Sequence, residues 1–253
     1  MDKVFEDYAR IYDIIYSKKD YKKECFYLDK VFRKYSKIPI NDVLDVACGT
    51  GNHVFNLAGI GYKVFGQDIS SRMLEEAGRK CRGIKNVKII GRFPMQKFFH
   101  TQKFDACVAM FSSVDYLLKI NQLKLAFKNI YSCLKPGGIF TFDFWNADCV
   151  EKSFSPYKKD IFISGEKKVI RVSQTKLNKK SKIANISYTC YYFDKRRAKA
   201  LIKEKHHLKY HKISSMLKLV KLCGFKVAGI FPFMKIGHRV KNSDWNISIA
   251  AVK

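Results

Sequence analysis

The chain has 253 residues, of which 49 are lysine or arginine and 22 are aspartate or glutamate, so its formal charge is +27. A hydrophobic fraction of 47% is enough for a packed core and excludes an intrinsically disordered chain despite that charge. No apolar run approaches the roughly 20 residues that a membrane-spanning helix needs. The first seven residues are acidic where a secretion signal would be basic, so we expect a cytoplasmic protein.

Strands alternate with helices through the first 150 residues. The sequence predicts strands over residues 42–46, 63–67, 87–90, 104–110 and 139–144. Helices are predicted over residues 52–58 and 71–80 and around an apolar stripe from Leu123 to Leu134, which Pro136-Gly137-Gly138 ends. This order predicts an α/β fold with a doubly wound, mostly parallel sheet covered by helices on both faces.

The alternation of strands and helices ends at about residue 150. Residues 162–172, 183–193 and 198–210 read as strands with no helix between them, so we expect them to pair antiparallel. A helix over 213–223 and strands over 226–231 and 245–252 then complete a seven-stranded sheet. We therefore predict a core formed by residues 1–150 and 213–253, with an N-terminal cap. Residues 151–212 form an antiparallel β insert that serves as a substrate lid or a dimer contact.

Charge is unevenly distributed between these parts. Residues 1–150 carry 24 basic and 16 acidic side chains, a net +8, whereas residues 151–253 carry 25 and 6, a net +19. Such a field attracts nucleic acid, an anionic membrane surface or a small phosphorylated substrate, although scattered solvated lysines explain it equally well. The eight cysteines form no Cys-x-x-Cys pair and no cluster with histidines at zinc spacing, so we predict no metal site.

The stretch Asp45-Val46-Ala47-Cys48-Gly49-Thr50-Gly51 contains the end of the first predicted strand and the turn that leads into the first predicted helix. Glycines there let the backbone approach a ligand, and the helix start offers unpaired N–H groups. Asp68 ends the second strand, where a carboxylate can accept hydrogen bonds from ribose hydroxyls. A phosphate-binding P-loop is excluded because Gly-Lys-Ser/Thr is absent, and a dinucleotide fingerprint is disfavoured because Val54 replaces its third glycine.

This motif resembles the glycine-rich motif of class I S-adenosylmethionine-dependent methyltransferases. The resemblance implies that the methionine end of S-adenosylmethionine lies against the Gly49–Gly51 turn and that Asp68 holds its ribose. Met95 would flank the adenine, and Met110 would border the sulfonium. The cofactor-binding residues implied in this way are Tyr12, Tyr21, Asp45, Ala47, Gly49, Thr50, Gly51, Asp68, Ile69, Met73, Met95 and Met110.

A closer resemblance covers most of the chain. Three segments are similar to bacterial amino-sugar N,N-dimethyltransferases and related surface-polysaccharide methyltransferases: residues 12–21, residues 110–114 and Glu204-x-His206-His207-Leu208. The resemblance implies that Tyr12 and Tyr21 cover the cofactor and that the insert covers the acceptor. Two departures bear on substrate: Pro94 replaces an acidic residue of the adenine loop, and Asp115-Tyr116 stands where the sugar enzymes carry a histidine.

Methyl transfer from a sulfonium needs alignment and a dry site, and it needs a base only when the acceptor binds protonated. The candidate catalytic residues are Tyr12, Tyr16, Tyr116, His206 and His207. Because side chains alternate along a strand, only one of the two histidines can face the site.

The expected function is therefore S-adenosylmethionine-dependent methylation of a small anionic, nucleotide- or phosphate-linked precursor of a bacterial surface polysaccharide. Methylation of a phosphoryl or phosphoramidate oxygen and of an amino sugar nitrogen stay open. An RNA methyltransferase is the first alternative. It is disfavoured because the fourth strand ends in Met-Phe-Ser-Ser rather than Asn/Asp-Pro-Pro-aromatic, and because no RNA-binding module is recognisable. A non-catalytic cofactor-binding protein is the second, and a homodimer is a further expectation.

Overall fold

This computed structural model describes residues 5–97 and 100–253, and its central sheet has seven strands. Residues 1–4, the start of the acidic N-terminal stretch, lie outside the described residues. The strands are β1 (Asp42–Asp45), β2 (Lys63–Asp68), β3 (Val87–Arg92), β4 (Phe104–Ala109), β5 (Leu134–Trp145), β10 (Lys226–Pro232) and β11 (Asn246–Val252).

Their order across the sheet is β10-β11-β5-β4-β1-β2-β3. Neighbouring strands among β1 to β5 pair parallel, whereas β11 pairs antiparallel with both β5 and β10. The predicted mostly parallel, doubly wound sheet is confirmed.

Helices cover both faces of this sheet, and one apolar cluster fills each interface. All six residues of β4 are buried, as expected for a central parallel strand. No helix in the described part of the chain is long and apolar enough to cross a bilayer. The helices are α1 (Ala9–Ile15), α2 (Tyr21–Tyr35), α3 (Asn52–Gly59), α4 (Ser71–Lys80), α5 (Ile120–Cys133), α6 (Ala147–Ser153) and α7 (Ile213–Leu222).

The insert is a separate antiparallel sheet, as the sequence predicted, but it has four strands where three were expected. Its strands are β6 (Tyr157–Ser164), β7 (Lys167–Asn178), β8 (Ile183–Asp194) and β9 (Arg197–Lys209). One end of its inner face packs against α1 around Ile11 and Val169, and the other end packs against α6 around Val150. Helix α1 therefore shares its core with the insert.

Two local predictions were wrong, and one helix was not predicted. The strand expected over residues 162–172 is two strands, because Gly165, at a φ of +58°, turns the chain between β6 and β7. Strand β5 begins at Leu134 rather than after Pro136-Gly137-Gly138, since Gly137 and Gly138 still exchange backbone hydrogen bonds with Lys253. Helix α6 was not predicted; Asn146 caps it by accepting from the N–H of Asp148.

Candidate cofactor and acceptor site

The turn between β1 and α3 exposes its backbone at Gly49. This residue has a φ of +54°, and a Cβ placed there would meet nothing within 4 Å. Gly51, at +79°, differs, because a Cβ there would come within 3.0 Å of the Cβ of Ala77 on α4. The absence of a side chain thus leaves open surface at Gly49, whereas at Gly51 it lets α4 pack closely.

Two buried carboxylates converge on this turn. Asp45 accepts from the N–H of Ala47 through Oδ1 at 3.4 Å, while its Oδ2 has no hydrogen-bond partner among the described residues. Burial raises the pKa of Asp45 to about 6. Asp68 accepts from the N–H of Gly49 through Oδ2 and from that of Ser70 through Oδ1, both at 2.9 Å, and burial raises its pKa too. Their remaining lone pairs suit a ligand that carries a cation and hydroxyl donors.

The other predicted cofactor residues differ in how far they face this turn. Ile69 offers an exposed apolar side chain directly after Asp68. Met73 and Met110 are buried in the interior, and Met95 packs half-buried against the core cluster that includes α5. Ala47 is half-buried within the turn.

Helix α1 is fastened to the same turn by Asp13. Its Oδ1 accepts from the Thr50 hydroxyl at 2.7 Å and from Asn52 Nδ2 at 2.9 Å, and its Oδ2 lies 2.8 Å from Lys80 Nζ. The Thr50 hydroxyl is thus bonded to the cap. Sequence reasoning missed Asp13, although it lies between two predicted site tyrosines.

Aromatic rings continue from this cap to the end of β4. The ring centroids of Tyr12 and Tyr16 are 4.6 Å apart, and those of Tyr16 and Phe111 are 5.1 Å apart. Phe111 and Ser112 have φ values of +61° and +55°, a strained conformation for residues with a side chain. The N–H and hydroxyl of Ser112 donate to Asp143 Oδ2 at 3.0 and 2.8 Å, which holds that conformation in place.

The pKa values of the Tyr12 and Tyr21 hydroxyls are raised. Burial raises the pKa of Tyr12, and neighbouring Tyr21 and Tyr16 raise it further. Tyr21 begins α2, its ring centroid lies 5.1 Å from that of His53, and burial raises its pKa as well. Both hydroxyls are therefore neutral hydrogen-bonding groups at physiological pH.

Strand β9 contributes His206 from its inner face. The Nδ1 of His206 lies 2.8 Å from the hydroxyl of Tyr116, and the histidine is 1% exposed. Burial raises the pKa of Tyr116 well above its usual range. His207 points to the opposite face, where its Nδ1 lies 2.7 Å from Asn185 Oδ1. The structure thus brings His206 to Tyr116 and leaves His207 outside the site.

A half-buried cation joins the cap to the insert sheet. Arg171 on β7 donates from Nη1 to the hydroxyls of Tyr8 and Tyr16, at 3.1 and 3.5 Å, and from Nη2 to Asp160 at 3.2 Å. Arg171 is one of 49 lysine and arginine residues, and no motif or spacing around it indicated a functional role.

Comparison with known proteins assigns the central part of the chain. Residues 43–138 match a family model described as a methyltransferase domain. In three dimensions the chain is similar to an S-adenosylmethionine-dependent methyltransferase from Clostridium acetobutylicum, with a TM-score of 0.83, 22% identity and 97% of each chain covered. The chain carries a methyltransferase domain.

A curated relative that acts on a nucleotide-linked amino sugar and a second solved structure with the same fold are also similar to this chain. The methyltransferase domain and its surroundings are 32% identical over 142 residues to dTDP-3-amino-3,4,6-trideoxy-alpha-D-glucopyranose N,N-dimethyltransferase of Streptomyces venezuelae, which covers 55% of this chain and 57% of that protein. The structure of Streptomyces venezuelae DesVI matches with a TM-score of 0.80 at 22% identity, covering 96% of this chain and 97% of that one. The alignments span little more than half the length of the curated relatives they match.

Proposed function

We propose that the protein is a methyltransferase that uses S-adenosylmethionine to methylate a small, anionic, nucleotide-linked amino sugar in the cytoplasm, as a precursor of a surface polysaccharide. The observation that carries the proposal is that helix α1 and Tyr16, which follows it, touch two candidate half-sites: the glycine turn for the donor, and the space between the end of β4 and the inner face of the insert for the acceptor. Asp13 bonds the glycine turn on one side, and Tyr16 contacts Phe111 and Arg171 on the other. A methyl donor and an acceptor bound in these half-sites would both lie against the segment of residues 13–16.

The residues around the turn fit the cofactor. The unpartnered Oδ2 of Asp45 suits a cationic amino group, Asp68 suits ribose hydroxyls, and the open backbone at Gly49 gives room for a ligand. Ile69 offers an apolar surface for a base. When bound, S-adenosylmethionine supplies an activated methyl group for in-line displacement.

The acceptor half-site can remove a proton from an amine. The hydroxyl of Tyr116 accepts the proton of the acceptor ammonium while its own proton passes to His206 Nδ1, so the tyrosine stays neutral. The acceptor nitrogen then has a free lone pair for the methyl group. This proton relay forms no phenolate, which is consistent with the raised pKa of Tyr116.

A phosphoryl or phosphoramidate oxygen is the second candidate acceptor, favoured by the net +19 of residues 151–253. Such an oxygen is already anionic and needs cations rather than a base. The pH dependence separates the two acceptors, because only the amine requires His206 to be unprotonated.

The cofactor is tested by calorimetry with S-adenosylhomocysteine on two matched variants. Gly49→Ala and Gly83→Ala both place a side chain at positive φ, +54° and +80°, with nothing within 4 Å of the new Cβ. Both should lose about 1 kcal/mol of stability from backbone strain. Only Gly49→Ala should weaken binding, by tenfold or more, which is about 1.4 kcal/mol. Equal affinities in the two variants, or no heat with the wild type, would overturn the cofactor site.

The acceptor is tested with methyl-labelled S-adenosylmethionine and a panel of nucleotide-linked amino sugars, nucleotide phosphoramidates and RNA. We expect label on the amino sugar nitrogen and a rate that falls towards acidic pH, where the base is protonated. Transfer to a phosphoramidate without that pH dependence would select the second acceptor. Transfer to RNA with a steep salt dependence would contradict a small-molecule substrate altogether.

A further inference from the structure

Glu204 is a buried acid in the strongly basic part of the chain. Its side chain is 7% exposed, although residues 151–253 carry only six acidic side chains against 25 basic ones. Its Oε1 accepts from the N–H of Tyr8 and its Oε2 from that of Phe5, both at 3.2 Å. These donors belong to the segment that enters α1, so Glu204 fastens the start of the cap helix to β9.

The same carboxylate lies beside His206. Glu204 Oε2 is 3.1 Å from His206 Nε2, an ion-pair distance, although the ring N–H does not point along a hydrogen bond to it. A small rotation of the ring would complete that bond and would leave Nδ1 as the acceptor for Tyr116. Glu204 therefore stands in the position of the group that orients a general base.

Other titratable groups face His206 from every element that packs on it. The rings of Tyr8 on the segment entering α1, Tyr188 on β8 and Tyr116 lie 5.8, 4.8 and 5.9 Å from the imidazole. The guanidinium of Arg171 lies over the ring of Tyr188, 5.1 Å from its centroid. Phenols are neutral at physiological pH, so the carboxylate of Glu204 is the negative charge that acts on the ring most directly.

Opening of the cap would remove hydrogen bonds that partly offset the negative charge of Glu204. Helix α1 is latched to the glycine turn by Asp13 and to the insert by Glu204. If α1 lifts to exchange the cofactor, Glu204 loses two N–H donors that partly neutralise it, and its attraction for an imidazolium increases. A protonated His206 has no lone pair on Nδ1 and cannot accept from Tyr116.

We infer that Glu204 is a positioning residue that couples closure of the N-terminal cap to the readiness of His206 to accept a proton. With the cap closed, Glu204 holds the tautomer in which Nε2 carries the proton. The proton abstracted through Tyr116 converts His206 to an imidazolium beside Glu204. It is lost to solvent as the opened cap closes again, because the two N–H donors then return to Glu204 and weaken its attraction for the imidazolium. This inference rests on the proposed function, because it assigns a partner to the proposed base.

The test compares Glu204→Gln with Glu166→Gln, an exposed acid on the hairpin turn between β6 and β7. We expect Glu204→Gln to lower kcat by tenfold or more. The acidic limb of the pH–rate profile should move to lower pH, because the imidazolium loses its neighbouring negative charge. Glu166→Gln should change neither. Loss of thermal stability with an unmoved limb and a kcat within twofold would show a merely structural role and overturn the inference.

A second measurement needs no variant at Glu204. The imidazole of His206, assigned by comparison with His206→Gln, is titrated by NMR in the wild type with and without S-adenosylhomocysteine. We expect a lower midpoint with the ligand, because the closed cap keeps both N–H donors on Glu204. Equal midpoints would contradict the coupling. A wild type that binds no S-adenosylhomocysteine would instead refute the proposed function, so the two failures are distinguishable.

Discussion

Asp45 and Asp105 are buried acids on the neighbouring strands β1 and β4, and their surroundings shift their pKa values in opposite directions. Burial raises the pKa of Asp45 to about 6, whereas Asp105 accepts from two backbone N–H groups and lies 2.6 Å from Lys135 Nζ, which lower its pKa. An acid whose pKa is raised on folding costs stability once it ionises. That cost is absent below about pH 4 and complete above about pH 6.

We therefore expect Asp45→Asn to stabilise the ligand-free protein at pH 7 by roughly 2–3 kcal/mol, with the gain disappearing towards pH 4. The same change should weaken binding of S-adenosylhomocysteine, because a neutral amide attracts its amino group less. Denaturant unfolding at a series of pH values and calorimetry measure both effects. Asp105→Asn is the control of opposite sign and should destabilise above pH 4. A destabilised Asp45→Asn protein at pH 7 would refute this account of the turn.

Individual site residues could be predicted from the sequence where the elements that place them lie close together along the chain. The glycine turn and its position after β1 could be read because strand, turn and helix follow one another within 18 residues, over residues 42–59. The hydrogen-bond partners of Asp13 and Glu204 could not be predicted from the sequence, because these bonds span 37 and nearly 200 residues. Contacts of that range depend on the packing of α1 between the insert sheet and the glycine turn, which no spacing rule encodes.

At the scale of elements, α1 is a helix of seven residues that is held by its contacts rather than by its own stability. We expect Asp13→Ala to free its central turn and to raise the Kd for S-adenosylhomocysteine about five- to thirtyfold, which corresponds to 1–2 kcal/mol of lost charged hydrogen bonds. The increase should arise mainly from faster dissociation, measurable by stopped flow. Asp7→Ala removes the same charge from an exposed position just before the helix and should leave dissociation unchanged. Equal effects of the two variants would show that net charge, not the latch, governs binding.

Element boundaries were predicted less well in the insert than in the core. The chain between β6 and β7 turns within two residues, Gly165 and Glu166, and apolar residues on both sides merge the two strands into one run. A single glycine inside such a run also occurs at bulges, so sequence alone does not separate the cases. Helix α6 was missed because its seven residues contain too few turns for a periodic signal.

At the scale of the whole molecule, the outer face of the insert sheet carries a row of apolar side chains. Strand register aligns Ile161, Ile170, Tyr191 and Leu201 across all four strands, and three of them are 44–55% exposed. An exposed apolar row across a sheet is typical of an interaction surface. The surrounding part of the chain is strongly positive, so two copies facing each other would also repel.

We predict a homodimer through this face whose dissociation constant falls as salt is raised, because ions screen the repulsion while the apolar contact persists. Light scattering over a range of protein and salt concentrations measures the equilibrium. The double change Ile161→Lys and Leu201→Lys should give a monomer at all concentrations. Leu222→Lys on α7, 61% exposed and remote from the insert, adds charge without touching the row and should leave the dimer intact. A wild type that stays monomeric at high salt would remove the dimer contact from the roles of the insert and leave it as a cover for the acceptor.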